Sequence, residues 1–260
     1  MLSKINTYFR YFLEYAKHND YLSIYASINY LIFNKSHKND RIIQTSIGKF
    51  FCRKNTNDFQ FANYRYEWGV KRFILNHINE YTVFIDSGAC IGDFSILLSK
   101  YNIRCIAFEP ISYNREILIA NLGLNDLTQK VKVIPMGISN ENGPVKFKFD
   151  LINTGASGIS PLDQGNPTID CMAEMCTFDS LLPELHLSLN DHILFKLDVE
   201  GMETEALKGS IDFISRFPFI TFIIEEKITG VDKIKSVLNE LGSFKYGSLD
   251  NYNFFAQKVY

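Results

Sequence analysis

The sequence predicts an α/β protein, with a doubly wound, mostly parallel sheet preceded by an N-terminal helical extension. Three observations predict it. Short apolar runs rich in β-branched and aromatic residues recur along the chain and stop at a glycine or a carboxylate, as buried parallel strands do. Helix-period segments alternate with these runs, which calls for crossover connections and hence a parallel sheet. Finally, Val83-Phe84-Ile85-Asp86-Ser87-Gly88-Ala89-Cys90-Ile91-Gly92, followed by Ile106-Ala107-Phe108-Glu109-Pro110, reads as strand, glycine turn, helix, strand, carboxylate. That order makes a nucleotide-binding unit.

The elements follow in order. Residues 5–33 are helical and aromatic-heavy, with Tyr8, Phe9, Phe12 and Tyr15, then Tyr21, Ile24, Tyr25 and Ile28, at three- and four-residue spacings. A helix pair packed on the core is expected there rather than a membrane-surface helix, because the Lys/Arg face is thin. A polar break at 34–41 precedes a short strand pair within 42–61 and a helix over 66–78. The first core strand spans 81–85, its helix continues through 94–98, and a second strand spans 103–108. A helix over 112–122 and a third strand over 131–136 come next. Asn142-Gly143-Pro144 then turns into an alternating strand carrying Val145, Phe147 and Phe149. Residues 153–167 read as a long loop, either a lid or substrate-binding segment or a flexible connector. A fourth strand over 192–197, a helix over 200–208 stopped by Gly209, a fifth strand over 219–224, a helix over 231–241 and terminal strands near 244–246 and 253–259 complete the order.

The chain has 260 residues, enough for one substantial core, so an extension over 1–60 and one catalytic domain over 61–260 is the economical division. Its 27 basic and 29 acidic residues leave a formal charge of −2 and no global field to hold nucleic acid. Cysteines 52, 90, 105, 171 and 176 are odd in number and lack C-x-x-C spacing, arguing against a disulfide framework or a zinc site and for a reducing cytoplasm. Lys4, Arg10, Glu14, Lys17 and Asp20 punctuate the first 30 residues, so neither a signal peptide nor a membrane span is expected. The histidines at 18, 37, 77, 186 and 192 show no ligand spacing.

The glycine turn narrows the ligand. A pyrophosphate cofactor wants G-x-G-x-x-G, whose middle glycine admits phosphate to the backbone, and here that position is Cys90. There is no G-x-x-x-x-G-K-[ST] run for a nucleoside triphosphate. S-adenosylmethionine, a nucleoside without phosphate, asks only for a glycine turn, a carboxylate for the ribose and polar groups for its methionine end. Glu109, about 20 residues beyond the first strand, suits the ribose. Asp86, Glu109, Asp198 and Glu225 all end strands, so one crevice at the strands' carboxyl ends should gather them. Asp198 is the first candidate for orienting an acceptor or taking its proton, with Glu200 beside it. Glu200 and Glu203 are expected at the start of the fourth helix, where carboxylates favour the positive helix end. Asp198, Glu200 and Glu203 could bind Mg²⁺, but the spacing is not diagnostic and no metal is expected.

Asp86 to Gly92, Phe108-Glu109-Pro110, Asn121-Leu122-x-Leu124-Asn125, Gly155-x-Ser157-Gly158, Thr177-Phe178-Asp179 and Lys196-Leu197-Asp198-Val199-Glu200-Gly201-x-Glu203 resemble the ordered motifs of FkbM-type S-adenosylmethionine-dependent methyltransferases. The resemblance covers the chain from about residue 59 onward, and its most family-specific element is the Asp-Val-Glu-Gly-x-Glu block. Where the family usually has Val and Asn, this chain has Ser87 and Cys90. The resemblance implies a seven-stranded, Rossmann-like class I methyltransferase with S-adenosyl-L-methionine as cofactor. The cofactor would contact Asp86, Gly88, Ala89, Cys90, Ile91, Gly92, Glu109, Pro110, Ile138 and Asp198, with Asp198 and Glu200 catalytic. Tyr64, Tyr66, Glu67 and Trp68 resemble the segment ahead of the family's first motif. The implied reaction is methyl transfer to a hydroxyl of a sugar, glycan or related metabolite precursor. A non-catalytic nucleoside-binding module is the alternative; an NAD-dependent oxidoreductase is disfavoured by Cys90 and by the lack of a Tyr-x-x-x-Lys constellation.

Overall fold

The computed structural model describes residues 2–159 and 165–259, so residues 160–164 of the expected long loop lie outside the described residues. The chain opens with α1 (Leu2–Lys17) and α2 (Tyr21–Phe33), followed by an antiparallel pair, β1 (Arg41–Gln44) and β2 (Lys49–Cys52). Two helices, α3 (Asp58–Phe61) and α4 (Trp68–Asn76), lead into the core. There β3 (Val83–Ser87), α5 (Asp93–Leu98), β4 (Arg104–Phe108), α6 (Ser112–Leu124) and β5 (Val131–Ile134) alternate. A small sheet of β6 (Gly137–Ile138), β7 (Gly143–Asp150) and β8 (Thr168–Cys176) interrupts them. Alternation then resumes with α7 (Phe178–Leu185), β9 (Ile193–Leu197), α8 (Glu203–Lys208), α9 (Ile211–Arg216), β10 (Ile220–Glu225) and α10 (Val231–Leu241). The antiparallel strands β11 (Phe244–Ser248) and β12 (Asn253–Lys258) close the chain.

Seven strands form the main sheet in the order β11-β12-β10-β9-β3-β4-β5, parallel from β10 through β5. Alternate residues of the central strands enter two different cores. Phe84, Cys105, Ala107 and Leu194 face the helices α4 to α6, whereas Val83, Ile85, Ile106, Phe195 and Phe222 face α7 to α10. Each Val, Ile, Leu or Phe side chain among these contributes about 1.5–3 kcal/mol by leaving water. Because the chain winds from β3 outward to β5 and returns to place β9 on β3's other side, the carboxyl ends of β3 and its neighbours open onto a crevice.

Several expected boundaries shift for physical reasons. The third strand stops at Ile134 because Pro135 has no N–H to give the ladder. The helix expected over 66–78 begins only at Trp68, since Glu67 is left-handed (φ 47°) and cannot start a right-handed turn. Likewise Glu200 (φ 50°) and Gly201 (φ 99°) form a turn, and the helix expected from 200 starts at Glu203. β8 is not among the strands expected from the sequence. The helix pair of the extension does form, and α1 seats Tyr11 and Tyr15 in the core, with the Tyr15 hydroxyl donating to the Phe59 carbonyl at 2.9 Å. α2 departs from expectation: it turns Ser23, Ala26 and Ser27 inward, packs Ile24 and Tyr30 half-buried against the core and leaves its other large apolar side chains exposed.

Candidate active site

The glycine turn is stitched to both neighbouring strands. The Gly88 and Ala89 amides donate to the Phe108 carbonyl at 3.1 and 3.0 Å, and the Asp198 amide donates to the Ser87 carbonyl at 3.1 Å. Gly88 sits at φ 85°, and a Cβ there would lie 1.9 Å from the Asp198 carbonyl oxygen, so only glycine lets the ends of β3 and β9 approach this closely. Gly92 (φ 89°) turns the chain into α5, its amide donating to the Ala89 carbonyl at 2.7 Å. Gly92 faces Leu118 and Ile91 is fully buried in the core, so these two shape the turn without lining the crevice. Asp86, Gly88, Ala89, Cys90, Glu109, Pro110, Ile138, Asp198 and Glu200 all line it.

Glu109 accepts from the Cys90 amide at 2.8 Å and the Ile111 amide at 2.9 Å, one on each carboxylate oxygen. Each oxygen keeps a further lone pair, which is what a vicinal diol needs from an acceptor. Burial lifts its pKa to about 7, against the lowering pull of those two amides. Pro110, Ile138 and Met175 supply apolar walls nearby, with Gly137 pressed so close that a Cβ would meet Met175 at 2.6 Å. Asp86 is buried and accepts from the Ser95 hydroxyl at 2.7 Å; burial lifts its pKa to about 6. A nucleoside with no phosphate fits this half: the turn offers a close backbone and Glu109 a diol acceptor.

The opposite half is crowded with charge. Lys196, nearly buried, holds Asp198 at 2.6 Å and lies 3.8 Å from Glu67. Burial alone would lower its pKa, but Asp198, Glu67 and Asp86 hold it well above the usual lysine value. Its ammonium also sits 4.9 Å from the Phe94 ring centroid, while Lys71, fully buried and paired with Asp93 at 2.8 Å, sits 4.8 Å from that centroid. Asp198, Glu200 and Glu225 each present an oxygen within 4.8 Å of the others. Burial and the Asp198 charge raise Glu200 to about 8 and Glu225 to about 10, and burial raises Glu67 to about 7. Glu203 is absent from that trio. It is buried and accepts from the Gly201 amide at 3.1 Å and from the Thr229 hydroxyl, so it braces the turn.

Backbone strain marks the same place. Among the described residues nine non-glycine residues have positive φ, and six of them are Asn, Asp or His, which tolerate it. The other three are Glu67, Cys90 and Glu200, and all three line the crevice. Such conformations cost about 1–3 kcal/mol each and persist where the surroundings over-determine them.

One wall comes from the loop after β7. Asn153 to Ser157 line the crevice, held by Asn57, Asp58 and Asn114 rather than swinging free. The Thr154 hydroxyl donates to Asp58 at 2.8 Å, Asn114 donates to the Thr154 carbonyl at 3.0 Å, and Arg53 clamps Asp58 at 2.7 Å. Gly155 packs against Phe61 and Gly158 against Glu200, which explains the glycines of that motif. Sequence reasoning assigned no role to Lys196 and only a covering role to Glu67. A lysine inside an apolar strand run was the available signal, since such a residue needs a buried partner.

With this geometry in view, comparison with known proteins gives concordant findings. The family model of the methyltransferase FkbM domain matches residues 86–246. The methyltransferase sdnD of Sordaria araneosa is 30% identical over 152 residues, 48% of this chain and 59% of that protein, so the chain spans little more than half the length of this relative. Among solved structures, the methyltransferase FkbM of Methylobacillus flagellatus KT is similar at 16% identity with a TM-score of 0.47, covering 68% of this chain and 44% of that one. The O-methyltransferase of Bacillus cereus, solved in complex with SAH, is similar at 13% identity with a TM-score of 0.42, covering 74% and 80%. The family match runs from Asp86 at the end of β3 into β11 and takes in the glycine turn, Glu109 and the whole Asp198 block, and on it the chain belongs to the FkbM methyltransferase-domain family, with S-adenosylmethionine as its cofactor.

Proposed function

We propose that this protein is an O-methyltransferase whose acceptor is a hydroxyl on a sugar, glycan or related metabolite precursor. The observation that carries the reading is the division of one crevice: a backbone-lined nucleoside half at Glu109, and facing it a carboxylate half of Asp198, Glu200 and Glu225. Bound S-adenosylmethionine supplies an activated methyl group. What the protein must add is alignment and exclusion of water, worth about 7–11 kcal/mol when good. A carboxylate must also take the alcohol's proton as the bond forms, adding roughly 10²–10⁴-fold.

In this reading Asp198, fixed by Lys196, orients the acceptor hydroxyl, and Glu200 is the neighbouring proton acceptor. The Glu200 pKa near 8 suits that role, because a base works best when its pKa lies near the working pH. Residues 61–260 serve as the catalytic domain and 1–60 as its extension. The formal charge of −2 supports a small-molecule or glycan acceptor over nucleic acid, and five free cysteines suit a reducing cytoplasm.

The test is to incubate the protein with methyl-labelled S-adenosylmethionine and fractionated glycan, lipid and RNA extracts. Label should enter a base-stable ether in the glycan or glycolipid fraction. Label on RNA, on nitrogen or in a base-labile ester sinks the hydroxyl assignment.

A further inference from the structure

α2 is amphipathic the wrong way round. Its inward stripe is Ser23, Ala26 and Ser27, small and internally satisfied: the Ser27 hydroxyl donates to the Ser23 carbonyl at 2.8 Å, and the Ser23 hydroxyl donates to Asp20 at 2.5 Å. Its outward side carries Tyr21, Leu22, Tyr25, Ile28, Leu31, Ile32 and Phe33, each 42–66% exposed. On α1, Phe9 and Leu13 are exposed one turn apart and extend the same kind of surface. Scattered surface apolar residues need no explanation, but a whole helix face of them does.

Charge says what covers it. Among described residues 7–40, the exposed charged side chains are the basic Arg10, Lys17, Lys35 and Lys38 and the single acid Asp40, which accepts from the Lys54 amide at 2.7 Å. The other two acids of this stretch turn inward: Glu14 accepts from the Ser46 amide at 2.7 Å and Asp20 pairs with Arg41 at 2.7 Å. A protein of net negative charge therefore presents one apolar face bordered by four basic side chains and one acidic one. A second copy related by a two-fold axis would bring Arg10, Lys17, Lys35 and Lys38 against the same patch, a like-charge encounter. An anionic lipid surface has neither problem. It buries the apolar face, attracts the lysines, and gives Tyr21 and Tyr25 the half-wet level that tyrosine favours.

We propose that the outer face of the α1–α2 hairpin docks the protein on an anionic lipid surface, lying in its plane. No helix among the described residues is long and apolar enough to cross a membrane. The docked face adjoins the active site's wall. Asn34, just past α2, donates to Asn166 at 2.7 Å, and Asn166 donates to Asp150 at 2.9 Å, at the base of the loop whose Asn153 to Ser157 line the crevice. That loop also exposes Leu151 and Ile159. The acceptor hydroxyl then belongs to a lipid-linked molecule at headgroup level, a step that rests on the methyl-transfer reading, whereas the docking does not.

Co-sedimentation of the whole chain with phosphatidylglycerol–phosphatidylcholine vesicles, read without any turnover assay, tests it. Wild type should pellet with these vesicles, and far less with phosphatidylcholine alone or in high salt, which screens the lysines. Leu22→Asp with Tyr25→Asp should lower partitioning roughly tenfold or more, and Lys35→Glu with Lys38→Glu several-fold. Both variants change exposed side chains only, and each should keep its thermal shift with S-adenosylmethionine, proving the fold intact. Wild type that stays in the supernatant, or a Leu22→Asp/Tyr25→Asp variant that pellets equally, overturns the proposal. So does a vesicle-independent dimer broken by that variant, which would make a second copy the occupant. Vesicle binding without a thermal shift by the methyl donor would leave docking standing and remove the methyltransferase reading.

Discussion

The two halves of the crevice solve opposite problems. At the nucleoside half the polar groups are backbone amides already aimed at Glu109, so a ligand meets a site that needs little rearrangement. At the acceptor half Asp198, Glu200 and Glu225 crowd within 4.8 Å of one another with the charge of Lys196 spent on Asp198, and burial and this crowding raise the proton affinity of Glu200 and Glu225. The contrast teaches that one region is organised before binding and the other holds its carboxylates in electrostatic tension.

The largest expected effect breaks the seam between the halves. Gly88→Val puts a side chain into the Asp198 carbonyl at a φ that valine avoids, so it should cost about 3 kcal/mol or more and abolish cofactor binding. Calorimetry and a thermal melt check both. A folded Gly88→Val protein with wild-type affinity would mean that the strands do not meet as described.

Next comes the acceptor half alone. Asp198→Asn keeps shape but loses a negative charge, so turnover should fall by roughly 10²-fold while donor affinity stays within a few-fold. Equal turnover once the acceptor is known would make Asp198 a brace and leave Glu200 as the base. The nucleoside half responds in the other coordinate: Glu109→Ala strips two amides of their acceptor and should raise the cofactor Kd by roughly tenfold or more. If titration finds wild-type affinity in Glu109→Ala, the diol has another partner.

Acid–base behaviour sharpens the contrast further. Glu200 and Glu225 have native pKa values of about 8 and about 10 against an ordinary 4.5, so the native state binds protons more tightly than the unfolded chain. Their contribution to stability is complete below about pH 4.5 and drains away as pH climbs through the native values. The thermal midpoint of the unliganded protein should therefore fall as pH rises from about 6 to 9, and Glu225→Gln should flatten the slope. A midpoint that rises with pH would remove the tension assigned to this half. The smallest effect belongs to Cys90→Gly. It relieves a left-handed residue but frees the unfolded chain, so stability should move by no more than about 1 kcal/mol, and the amide to Glu109 is kept.

Legibility in the sequence followed the same divide. The glycine turn and Glu109 could be recognised because strand, turn and carboxylate are local and regularly spaced, and Val231–Leu241 because its apolar period is strong and bounded by glycine on both sides. β8 escaped notice since Ile169, Cys171, Ala173 and Met175 form only one modest apolar face, with Asp170, Met172 and Glu174 opposite. Glu200 reads as a helix start because Met202, Glu203, Glu205, Ala206, Leu207 and Lys208 downstream are good helix formers; the left-handed turn is imposed by Glu203 reaching back to the Gly201 amide and by Thr229 from another segment. The partnership of Lys196 with Glu67 joins distant segments, and no spacing rule reports it. For α2, helical periodicity was evident, but apolar spacing alone does not say which face the fold will bury.

The contact between Gly88 and the Asp198 carbonyl also bears on how the protein is made. The glycine turn emerges early in synthesis, but the floor it rests on arrives only with β9, and between them the chain must complete β4, β5 and the small sheet. Parallel pairing of β9 on β3 is a non-local closure, slow compared with helix formation. A nascent chain therefore has no finished cofactor pocket until that closure occurs, and the cofactor selects completed sheets over partial ones. At 100 times its dissociation constant it would add about 2.7 kcal/mol to the closed state alone, making the methyl donor a late-stage clamp on folding as well as a reagent.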